Sequence, residues 1–103
     1  MTLRSELVEL LNALDELLRN VEMTDEQREQ HLRRRKLLSA KLDEVLRQTI
    51  DQNTDAYNAA VEQTNKAVKT AERALRETEE REAVILEITK AAKAIDAVIK
   101  LAV

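Results

Sequence analysis

The side chain best equipped for chemistry in this sequence is His31, the only histidine, in the run Glu29-Gln30-His31-Leu32. An imidazole can shuttle a proton near neutral pH or ligate a metal. A metal site built on helices needs a second ligand on the same or a facing helix, as in H-E-x-x-H or E-x-x-H. The residue three before His31 is Arg28, and cysteine is absent. With no cysteine and a single histidine, Ser/His/Asp and Cys/His catalysis have almost no candidates. His31 is therefore expected on a solvated surface, and the chain is expected to be no enzyme, with no catalytic, metal or cofactor-binding residues.

Three other groups could carry binding chemistry. Arg33-Arg34-Arg35-Lys36 is the sole basic run. Four consecutive helical residues fan round the axis, and Glu29, Asp43 and Glu44 lie within reach to neutralise part of them, so the run does not read as a phosphate-tracking stripe. Glu77, Glu79, Glu80 and Glu82 form an acidic cluster, but a di-iron carboxylate site would require histidines that the chain does not have. Tyr57, the one aromatic residue, reads as a core or rim side chain whose hydroxyl reaches water.

The elements that hold these residues are helices. The chain has 103 residues, enough for one domain, with no Gly, Pro, Cys, Trp or Phe. Hairpin turns and strands need the residue types that are missing, and Ala, Leu, Glu, Lys, Arg and Gln all favour helix. Basic and acidic residues number 17 and 20 and are spread evenly, so no long-range field draws nucleic acid or an anionic membrane. The amino terminus does not read as a signal peptide, and a cytoplasmic location is the default expectation.

Leu3, Leu7, Leu10, Leu14, Leu17 and Val21 are spaced as a heptad seam, with Val8, Leu11 and Leu18 widening it to one side and Glu6, Glu9, Asn12, Asp15, Glu16 and Arg19 expected on the polar face. Thr24-Asp25-Glu26-Gln27 is a capping-box start with Met23 as its staple, and Leu32, Leu38, Leu42, Val45, Leu46 and Ile50 continue as a second seam. Thr54-Asp55 starts a third stripe through Tyr57, Val61, Thr64, Val68, Ala71, Leu75 and Thr78, flanked by alanines that suit close packing against leucines of the first two helices. Seven acids stand four residues before a base: Asp15–Arg19, Glu29–Arg33, Asp43–Arg47, Glu62–Lys66, Glu72–Arg76, Glu77–Arg81 and Asp96–Lys100.

The predicted fold is all-α: an antiparallel helical bundle or coiled coil of three long helices, at about 2–22, 25–53 and 55–102. The alternative breaks the third near 78–80, where Thr78-Glu79-Glu80 repeats the hydroxyl-then-acid pattern, and gives a four-helix bundle. The unbroken version leaves residues 84–103 overhanging, and residues 83–103 hold 15 apolar side chains among 21. Such a face needs a cover.

The expected function follows from that cover. It is a non-enzymatic interaction or scaffold module that self-associates, as a homodimer or other homo-oligomer, or binds partner helices through Val84, Ile85, Ile88, Ala92, Ile95, Val98, Ile99 and Ala102. A small export or assembly chaperone for an amphipathic-helix client competes with it. A peripheral membrane-surface protein is disfavoured, because Glu87 and Asp96 dilute the lysines and no Trp or Phe anchors the segment.

Overall fold

The computed structural model describes residues 2–77 and 79–102. They form α1 (Leu3–Asn20), α2 (Asp25–Arg47), α3 (Asp55–Ala74) and α4 (Glu80–Leu101), packed into a rod 42 × 19 × 17 Å. Three helix starts are set by threonine. The Thr2 side chain accepts from the Ser5 N–H and the Thr24 side chain from the Gln27 N–H, each in a reciprocal capping box. Thr54 accepts from the Tyr57 N–H after a turn in which Asp51 accepts from the Asn53 N–H.

The packing runs in a ring, α1 to α2 to α4 to α3, which leaves α1 opposite α4 and α2 opposite α3. Asp15–Arg35 and Gln63–Glu87 fix α1/α2 and α3/α4 as antiparallel pairs, while Glu6–Asn65 and Lys41–Asp96 join α1/α3 and α2/α4 in parallel. The α2–α3 connection therefore crosses the end of the bundle diagonally. This is why α2 stops at Arg47 and not near residue 53: residues 48–54 must span the bundle end, and Ile50, expected on a helical seam, instead tucks partly against the core.

Of the two predicted forms, the chain takes the one with a break. The continuous helix over 55–102 is not formed; α3 ends at Ala74 and α4 begins at Glu80. Thr78, expected both on the seam and as a helix-starting hydroxyl, lies outside the described residues. No glycine closes α3. Instead the Arg76 and Glu77 N–H groups both donate to the Arg73 carbonyl, and Arg81 Nε, from the first turn of α4, reaches back to the Ala74 carbonyl at 3.4 Å. Glu80 and Glu82 in that first turn complement the helix dipole.

The reason for the reversal is burial. Folding back sets Val84, Ile88, Ile95 and Val98 against Ala60, Ala67, Ala71 and Ala74, and all eight are buried. At roughly 25 cal/mol per Å² of apolar surface, this outweighs a few carbonyls left to water at the turn. The most extensive packing of α3 is against α4, ahead of the leucine seam of α1, and α2 does not pack on it.

The first seam is buried as its spacing requires: Leu3, Leu7, Leu10, Leu14 and Leu17 are inaccessible to solvent, with Val21 just above them. Glu6, expected on the polar face, is buried between α1 and α3, where its carboxylate accepts from Asn65 Nδ2 at 3.0 Å. The Tyr57 hydroxyl, expected to reach water, accepts from the Leu3 backbone N–H. Among the described residues only Glu29–Arg33 forms of the seven local ion pairs; Asp15, Lys66 and Asp96 pair across helices with Arg35, Glu87 and Lys41. Hydrogen bonding to Asp15, and then its charge, raises the already high pKa of Arg35.

Candidate protein-interaction groove

α2 is the least committed helix. It fully buries only His31 and Leu38, while Leu32, Leu37 and Leu46 are 50%, 42% and 52% exposed. A monomeric surface tolerates scattered leucines, but three on one 23-residue helix leave that helix with apolar area to spare.

On its α4 side this produces a groove of about 270 Å³. Leu37 from α2 and Ile88 and Ala92 from α4 line its apolar part, with Thr89 and Asp96 at the rim. Arg33, Arg34 and Lys93 supply three positive charges. Asp96 is already engaged by Lys41, and Arg33 by Glu29, whereas Lys93 makes no ion pair among the described residues. Arg34 donates through Nη1 to the Gln30 carbonyl at 3.3 Å, and its Nε–H is buried with no hydrogen-bond partner among the described residues. The basic run thus fans out as its spacing predicts, but Arg35 finds Asp15, and neither Asp43 nor Glu44 pairs with the run among the described residues.

The interface predicted from sequence lies mostly within the chain's own core. Val84, Ile88, Ala92, Ile95 and Val98 are buried and Ile85, Ile99 and Ala102 half-buried, so the overhang that called for a covering chain does not exist. Only Ile88 and Ala92 contribute to the groove. Sequence reasoning missed Leu37, which stands off the Leu38-Leu42-Val45 seam; an apolar residue with no place on its helix's seam was the available signal.

His31 is not on a solvated surface. It is 3% exposed, and its Nδ1–H donates to the Gln27 carbonyl at 2.9 Å, while Nε2 is buried and without a partner among the described residues. It lines a small chamber of about 120 Å³ with Met23, Gln27, Gln30, Arg81, Glu82 and Ile85. No cluster of three or more His, Cys, Asp or Glu suited to a metal occurs among the described residues. On the α1/α3 side a depression of about 560 Å³ is walled mainly by charged side chains, Glu9, Glu16, Glu72 and Arg76. Among the described residues no helix is long and apolar enough to cross a membrane.

Comparison with protein-family models, with curated proteins and with solved structures finds no match.

Proposed function

We propose that this chain is a helical interaction module that receives a short acidic amphipathic helix of a partner protein in the groove between α2 and α4. The observation that carries this reading is Arg34, which lines the groove and whose Nε–H is buried with no hydrogen-bond partner among the described residues. An unsatisfied donor of this kind costs about 1–3 kcal/mol, and a carboxylate from an incoming helix would supply the missing acceptor in a charge-assisted bond. Arg33 and Lys93 favour the same sign of partner, while Leu37 offers it an exposed apolar contact above buried Ile88 and Ala92. From Ile88 to Asp96 the groove spans about 12 Å of helix, room for two turns of a guest with anchors at i and i+3 or i+4.

The test uses two synthetic amphipathic helices that share one leucine face and differ only in carrying glutamates or lysines on the other. In heteronuclear NMR titration the acidic peptide should shift the amides of Arg34, Leu37, Thr89 and Ala92. Its affinity should fall as salt rises and should be lost in Leu37→Glu. Equal binding of both peptides, or shifts confined to another face, would reject the groove as the site.

A further inference from the structure

The opposite flank of α2, facing α1, carries a second apolar stripe that the groove does not use. Leu32, Ser39 and Leu46 lie seven residues apart along it, and both leucines are about half exposed. The Asp15–Arg35 pair sets the α1/α2 register. Counting one turn either way along the antiparallel pair brings Leu32 level with Leu18 and Ser39 level with Leu11, both half-buried leucines, and Val8, 41% exposed, stands one turn beyond Leu11. The result is an apolar strip along two helices, crossed by the part-exposed Asp15–Arg35 pair and dented by the small side chain of Ser39.

We propose that this strip is a self-association surface on which two copies of the chain pair their α2 helices antiparallel about a two-fold axis near Ser39. In that arrangement Leu32 meets the partner's Leu46, and Leu46 meets the partner's Leu32, so both exposed leucines are covered at once. The charges select the same register. Lys36 and Asp43 are exposed, and neither makes an ion pair among the described residues. The axis that matches the leucines brings Lys36 to within one residue of the level of the partner's Asp43, twice over. A parallel pairing would carry the Lys36/Asp43 edges of the two copies to opposite sides of the interface and leave both charges without each other, so the charges favour the antiparallel orientation.

The face is large enough for a reversible dimer. Two adjacent helices of this length present a surface about 30 Å long and about 20 Å wide, roughly 600 Å² on each copy, at the lower end of the range for specific interfaces. The dimer should therefore be concentration-dependent. It lies on the far flank of α2 from the α4 groove, so it stands or falls independently of the helix-binding function.

Sedimentation equilibrium on the full chain, from low micromolar to millimolar concentration, tests it, with helical circular dichroism to verify that each variant is folded. The wild type should move from one-chain to two-chain mass. Lys36→Asp or Asp43→Lys alone sets like charges together at two places and should raise the dimer dissociation constant about tenfold. The doubly exchanged variant K36D/D43K restores both pairs and should return it to the wild-type value, while Leu46→Glu should leave only monomer. A one-chain mass throughout the range would overturn the proposal, as would a dimer that is indifferent to the single reversals or is not rescued by the exchange.

Discussion

The hydroxyl of Tyr57, in the first turn of α3, accepts a hydrogen bond of 3.0 Å from the backbone N–H of Leu3, the first residue of α1 and 54 positions earlier in the chain. The first N–H groups of a helix have no partner within it, and this one is buried. A side chain from another helix therefore completes the cap that Thr2 begins, and in doing so ties the parallel helices α1 and α3 together at one end. Tyr57→Phe keeps the ring and removes the acceptor. It should cost about 1–3 kcal/mol, lowering the melting temperature by several degrees as followed by circular dichroism. An unchanged melting curve would mean that the Leu3 N–H is satisfied in some other way.

Glu6 is the second polar contact between the same two helices. Its carboxylate is buried and accepts from Asn65 Nδ2. Removing the donor leaves a charge in the core, whereas removing the charge leaves only an amide near the surface. Asn65→Leu should therefore destabilise by about 3 kcal/mol or more, while Glu6→Leu should be close to neutral or stabilising. Urea unfolding of the two variants should rank them in that order; equal losses would show that Glu6 is hydrated in the folded chain.

Much of this architecture was legible in the residues, and the parts that were not have identifiable physical causes. α1 reads plainly because its six seam positions are all aliphatic and all buried. Glu6 was misread because it is polar, although it stands seven residues before buried Ala13 on the flank that meets α3. His31 likewise lies seven residues before Leu38 and fourteen before Val45, a heptad position that its chemistry disguised. The turn after Ala74 was harder to read. It contains no glycine or proline, and its closing contact, Arg81 to the Ala74 carbonyl, spans a reversal that no local pattern announces. The groove was invisible for a related reason: it depends on which flank of α2 meets α4, and that follows from the diagonal crossing of residues 48–54.

Leu37 and Leu38 are adjacent in sequence and opposite in role. Leu38 is the one leucine of α2 fully removed from solvent, and Leu37 is among the exposed ones. Leu38→Ala should cost about 2–5 kcal/mol through lost burial and the cavity left behind. Leu37→Ala should change stability by no more than about 0.5 kcal/mol and should act instead on binding in the α2–α4 groove. Denaturant midpoints measured in parallel test the contrast, and comparable losses at the two positions would move the inner face of α2.

The reversal between α3 and α4 can be tested from within its own interface. Ala60, Ala67 and Ala74 recur every seven residues, are all inaccessible to solvent, and lie on α3, whose packing against α4 is the most extensive in the molecule. Where helices meet through small side chains, three added carbons have no space, so Ala67→Leu should overpack the seam and cost about 1–3 kcal/mol. In a continuous helix running from Asp55 to Ala102 the same position would have no α4 against it. There the larger side chain would add apolar surface for α1 to cover and should stabilise the fold or leave it unchanged. Thermal unfolding of Ala67→Leu thus separates the two architectures by sign: a lower melting temperature agrees with the folded-back bundle, and a higher one would mean that α4 does not lie along α3.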